Sequence, residues 1–157
     1  MARLNVGTGL DNYIEKLGNL ELQAHTQMGR AIYEGAKVVA DAVKASISTI
    51  PTRTKGSSVG VYDYQREGLR EGMGISRLKD DNGYWNVKLG FDGYNSHATK
   101  KYPKGQPNAM IARSLEKGTS WSPPCRFVSN TTSRVKPQAE AVMQKTLDEE
   151  LTKTMNS

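Results

Sequence analysis

Residues 73–91, MGISRLKDDNGYWNVKLGF, decide the fold class. Asn82-Gly83 stands between two alternating runs. That dipeptide is the strongest short-range sign of a β-hairpin, because both residues accept the positive φ of a tight turn. On the second arm Trp85, Val87, Leu89 and Phe91 alternate with Tyr84, Asn86, Lys88 and Gly90, so one face of that strand should be apolar. On the first arm Met73, Ile75 and Arg77 alternate with Gly74, Ser76 and Leu78. A lone hairpin is only marginally stable in water. Its apolar face is therefore expected to lie on helices.

Helical patterns flank it on both sides. From about Leu22 to Ser48 the residues Met28, Ile32, Gly35, Ala36, Val39, Val43 and Ile47 recur mostly at steps of three and four. Glu34, Lys37, Asp41 and Lys44 fill the opposite face, and Gly35-Ala36 leaves room for another backbone to approach. Pro51 ends this helix. Upstream, Asp11 reads as the N-cap of a separate short helix with Leu10, Ile14 and Leu17 on one face and Gly18-Asn19 as its stop. A last helix is expected from about Lys136 to Met155, with Pro137 in its first turn and Ala139, Met143, Leu147, Leu151 and Met155 along one face. Ala109 to Leu115 reads as a third strand or a helical turn, and Phe127 and Val128 re-enter the core after the extended corner at Pro123-Pro124.

Two stretches rich in breakers, 51–68 and 92–108, read as long loops. In the first, Val59 to Tyr64 is either a short edge strand or a segment ordered only by a neighbour. The expected architecture is α+β: a long N-terminal helix and a C-terminal helix packed on a small antiparallel sheet, with two long loops. Residues 1–157 make one domain.

Hydrophobic residues make up only 36% of the chain, and the mean hydropathy is −0.63. A thin core that completes its burial against partners fits these values. The single cysteine, Cys125, excludes an internal disulfide framework and points to a reducing compartment. No apolar run reaches the roughly 20 residues of a membrane span, and the N-terminus lacks a leader pattern. A soluble chain with no membrane partner is expected.

The formal charge is +6 and uneven. Residues 1–50 hold five basic and five acidic side chains, residues 51–105 ten and six, and residues 106–157 seven and five. The excess therefore lies in the loop-rich middle. With no arginine-rich helix, and Lys100-Lys101 the one tight basic run, sequence-specific DNA reading is not expected. Non-specific contact with a packaged DNA backbone stays compatible with the charge. A small basic nucleic-acid-binding module is the alternative function.

Chemistry-bearing patterns are sparse. His25 and His97 have no cysteine or carboxylate at metal-ligand spacing, so neither a metal nor any other cofactor is expected. Cys125 has Arg126 beside it, which would favour a thiolate, yet it reads better as a small apolar residue than as a nucleophile. The glycines form no phosphate loop, and Asp148-Glu149-Glu150 among Lys145 and Lys153 reads as a solvated helix face, with Glu149 and Lys153 in the favourable i,i+4 order. No catalytic residues are assigned.

Three segments in order resemble a known family. They are Gly9 to Leu17, Glu34 to Ala40 with Lys44 and Pro51, and Ala112-Arg113-Ser114-Leu115-Glu116-Lys117-Gly118-Thr119-Ser120 followed by Pro124, Arg126, Phe127 and a long helix. Together they resemble the tail-component family of long-tailed bacteriophages, to which neck and tail-completion proteins belong. The family's Thr-Gly-x-Leu segment is matched here only by Glu67-Gly68-Leu69-Arg70, and Cys125-Arg126 separate Pro124 from Phe127.

The resemblance implies a structural virion protein at the head–tail junction, assembled in the host cytoplasm. It implies a homo-oligomeric ring, a hexamer or larger, between head-closure or connector proteins and tail-terminator or tail-tube proteins. Under it, loops 51–68 and 92–108 would become ordered at assembly. Arg113, Glu116, Gly118, Thr119, Trp121, Lys100 and Lys101 are the interface candidates. Trp121 is either an anchor for a partner or a core residue, Gly118 makes a close approach or a tight turn, and Arg113 is placed to pair with Glu116 within or between subunits.

Overall fold

A computed structural model describes the backbone of residues 9–157 and the side chains from Gln23 onward. The α+β architecture is present, with N- and C-terminal helices enclosing a small antiparallel set of strands. Helix α1 runs unbroken over Gly9–Ile47, about 58 Å at 1.5 Å per residue. The two helices expected there are thus one, and Gly18-Asn19 is no stop. An isolated glycine costs a helix only about 1 kcal/mol, less than a break requires. Asp11 lies inside α1 instead of capping it; the face formed by Leu10, Ile14 and Leu17 falls outside the described side chains.

Helix α2, Asp63–Gly72, replaces the end of the expected first loop. Its sequence DYQREGLREG has two glycines and one aliphatic residue, which hides the period. Both glycines answer to packing. A Cβ on Gly68 would stand 2.4 Å from Asn108 Oδ1, and one on Gly72 would stand 2.3 Å from the Asp92 carbonyl oxygen. Between them Leu69 is fully buried. The Tyr62 amide donates to Gln65 Oε1 at 3.0 Å and so ties down the start of the helix. No edge strand forms at Val59–Tyr64: only Val61 pairs, with Thr52, and Tyr64 already belongs to α2.

The hairpin forms with its turn at Asn82-Gly83, both at positive φ (56° and 88°). It is split into two ladders: β1 (Met73–Ile75) pairs with β4 (Leu89–Phe91), and β2 (Lys79–Asp81) pairs with β3 (Tyr84–Asn86). The Ser76 amide still donates to the Lys88 carbonyl at 2.8 Å, so Arg77 and Leu78 together oppose Val87 alone. Such a bulge reverses the alternation of the strand that carries it. Leu78, expected on the outer face, therefore turns inward onto Gly29 of α1, while Arg77 is exposed. On the unbulged arm Trp85, Val87, Leu89 and Phe91 keep one face toward the helices, half-buried instead of fully enclosed.

Ala109–Leu115 belongs to helix α3, Asn108–Lys117. Helix α4 spans Phe127–Asn156 and begins well before Lys136, so Pro137 sits in its interior. The row at steps of four extends upstream, where Phe127, Thr131, Val135 and Ala139 are all buried. Four residues turn a helix by about 400°, so such a row drifts about 40° per step. From Ala139 to Met155 the drift is about 160°. Hence Leu151 is 37% exposed and Met155 78% exposed, not on the face expected of them.

In their place Glu150 and Thr154 face α1, which runs antiparallel to α4. Gln27 donates to Thr154 Oγ1, and Arg30 meets Glu150 at 2.9 Å. Gly35 provides the close approach expected of it, with Met143 and the Ala139 carbonyl above it. Lys153 pairs with Glu150 at 3.1 Å, and Glu149 pairs with Lys145, not with Lys153.

Hydrogen bonds from Lys153 and then Arg30 hold the Glu150 carboxyl below the usual carboxylate range. A depressed carboxyl stabilises the fold above the unfolded value of about 4.3 and loses that contribution as pH falls through the lower folded value. The melting temperatures of wild type and Glu150→Gln should therefore differ at neutral pH and converge in acid below about pH 4.

Candidate assembly interface

Helix α3 ends at Gly118, whose φ of 75° reverses the chain. A Cβ there would stand 2.9 Å from the Pro124 nitrogen, so the glycine serves both the turn and the close approach. Thr119 and Ser122 exchange backbone hydrogen bonds at 2.9 and 3.3 Å, which puts Ser120 and Trp121 at the tip of a tight turn. Trp121 is 73% exposed there. It is not a core residue: its ring stands in solvent on a hydrogen-bonded turn.

Within the chain Glu116 forms no ion pair with Arg113. Its carboxylate accepts the amides of Val128 and Ser129, both at 3.0 Å, and the Ser129 hydroxyl. It thus satisfies the first free donors of α4 from outside the helix and sets a negative charge at the positive end of its dipole. Arg126, the residue before α4, is left-handed (φ 48°) and makes no cap with its side chain. The Cys125 amide donates to the Leu115 carbonyl at 2.7 Å and closes the corner. Arg113 is exposed on α3. Glu116→Ala should destabilise the fold by about 2 kcal/mol, the sum of a lost cap and a lost dipole interaction, with Glu116→Gln intermediate; urea unfolding followed by circular dichroism would measure both.

Burial, and then the nearby Glu116 carboxylate, push the Cys125 thiol above its ordinary pKa. An activated nucleophile needs the opposite shift. His97 does not approach it: its ring stacks on Tyr64 at 4.5 Å. His25 lies 5.2 Å from the Trp85 ring. Among the described residues no three His, Cys, Asp or Glu side chains converge to hold a metal ion, and no described helix is long and apolar enough to cross a membrane.

Lys100 and Lys101 sit on a different turn from Trp121. Thr99 and Tyr102 exchange backbone hydrogen bonds at 2.9 and 3.0 Å, which places the two lysines at the tip of their own turn in the loop before α3. Along the chain the ten residues of α3, about 15 Å of helix, lie between this loop and the corner. Both loops carry hydrogen bonds within the chain. The Arg53 amide donates to the Val61 carbonyl and the Val61 amide to Pro51. Buried Asn95 accepts from the His97 and Gln106 amides, and Asn108 donates to the Asp92 carbonyl.

Two features were not foreseen. One is an apolar groove of about 470 Å³ between α1, the hairpin and α4, bordered by Ile32, Val39, Trp85, Val87 and Met143. The other is the ring series Tyr62, Tyr64 and His97. No family model, curated protein or solved structure matches this chain.

Proposed function

We propose that this chain is a structural assembly subunit that forms a ring at the head–tail junction of a long-tailed phage, completing the tail and joining it to the head. The exposure of Trp121 on a hydrogen-bonded turn is the observation that carries the assembly reading. Tryptophan is over-represented among the residues that carry most of the binding energy at protein interfaces. The groove beside Trp85 and Met143 supplies a concave apolar counterpart on another part of the same surface. A projection and a recess at different places on one chain suit a heterologous contact, which closes into a ring when the rotation between copies allows it. The phage setting rests on the ordered resemblance of the segments around Gly9–Leu17, Glu34–Ala40 and Ala112–Ser120.

Electron microscopy of particles produced without this protein tests the reading. Filled heads beside separate finished tails are expected. Normal joined virions would remove it.

A further inference from the structure

Arg53, Tyr62, Tyr64 and His97 form a continuous stack that runs from the loop before α2, across the first turn of α2, to the loop before α3. The Arg53 guanidinium lies 5.4 Å from the Tyr62 ring centroid, Tyr62 and Tyr64 are 5.4 Å apart at 11°, and Tyr64 and His97 are 4.5 Å apart at 25°. Tyr62 is 40% exposed, and His97 is exposed at the far end. This is not core packing. The stack is framed by turns with cations at their tips. Ser57 closes onto Thr54, with Lys55 and Gly56 between them, and Tyr102 closes onto Thr99, with Lys100 and Lys101 between them.

The charge in these two loops is mostly basic. Residues 51–62 and 92–107 contain Arg53, Lys55, Lys100, Lys101 and Lys104 and one acid, Asp92, a local +4 within a chain of +6, and Asp63 opens α2 beside the stack. Solvent-facing aromatic rings interleaved with lysines on hydrogen-bonded turns are what an unpaired nucleotide strand needs. Each base offers a π-face for stacking, and each linkage a phosphate for a cation.

We propose that this face binds single-stranded nucleic acid without sequence preference, stacking a base on His97 and holding the adjoining phosphates with Lys100 and Lys101. Arg53 and Lys55 hold the strand at the Tyr62 end. The site needs one copy of the chain and does not depend on ring formation.

Fluorescence anisotropy with a labelled oligothymidylate about 12 nucleotides long, beside a duplex of the same length, tests this. Four phosphate contacts predict a log-affinity slope against log-salt of about −3, made shallower by about 1.4 in the Lys100→Ala, Lys101→Ala double variant. His97→Ala should weaken the single strand at least about fivefold, and His97→Trp should restore or exceed the wild-type affinity. A ring that only pinned its loop would not give that rescue. Circular dichroism would establish that each variant is folded, and if His97→Ala is not, His97→Trp and the lysine variant decide. No binding in about 50 mM salt would overturn the proposal. So would equal affinity for the duplex that His97 substitutions leave unchanged, since a plain electrostatic surface behaves that way.

Discussion

Gly35→Leu is expected to lower the unfolding free energy by about 3 kcal/mol, read as a lower urea midpoint at unchanged slope. The glycine sits directly against α4. Even a single added carbon would meet Met143 Cγ and Cε at 2.5 Å and the Ala139 carbonyl oxygen at 3.2 Å. Met143 is flexible and half-buried, so Gly35→Ala can be absorbed, and the helix propensity gained, up to about 1 kcal/mol, offsets the crowding. The carbonyl belongs to the backbone of α4 and cannot move aside. A branched side chain must therefore push the two helices apart along their longest contact. Since folded domains are stable by only about 5–15 kcal/mol, a loss of this size is a large fraction of the whole. A Leu variant as stable as wild type would mean that the helices do not meet at Gly35.

Trp121→Ala should leave the monomer's stability within about 0.5 kcal/mol of wild type, because the side chain contributes little to the core. Its effect is expected on association. Truncating an aromatic anchor at an interface costs about 2 kcal/mol or more, roughly a 30-fold loss in affinity between copies. Sedimentation velocity across a concentration series would show wild type moving to larger species while the variant stays small. A conservative Trp121→Phe change should retain part of the association. If wild type and Trp121→Ala give the same distribution, the ring is not bound against another copy, and the ring assignment loses its structural support.

The two effects separate because the residues act at different levels. Gly35 shapes the contact between helices, and Trp121 shapes a contact the subunit makes outward. Glu116 links them: the helix that ends in the Trp121 turn also supplies the carboxylate that starts α4. Loosening that cap should free the turn as well as the helix.

Much of this architecture is legible locally. Asn82-Gly83 specified its own turn through the positive φ that both residues adopt, and the alternation from Trp85 to Phe91 marked the face turned to the helices. The stripe from Met28 to Ile47 marked α1, and Gly35 within it announced a close neighbour. Trp121 was recognisable as a candidate, although its neighbours alone left open whether it was buried. Such features depend on residues a few positions apart, whose period and turn chemistry a chain displays directly.

Other features depend on groups brought together from far along the chain. Helix α2 hides behind glycines that make sense only against Asn95, Asn108 and Asp92. The extra residue at Arg77-Leu78 shows itself only once Ser76 pairs with Lys88 and Lys79 with Asn86. Glu116 looks like a partner for Arg113 until α4 presents its amides, and the Tyr62–Tyr64–His97 stack joins rings more than thirty positions apart. Burial and hydrogen-bond satisfaction act through space, so the amino-acid order determined which elements form, while packing decided which faces they turn to one another and which groups were left in solvent.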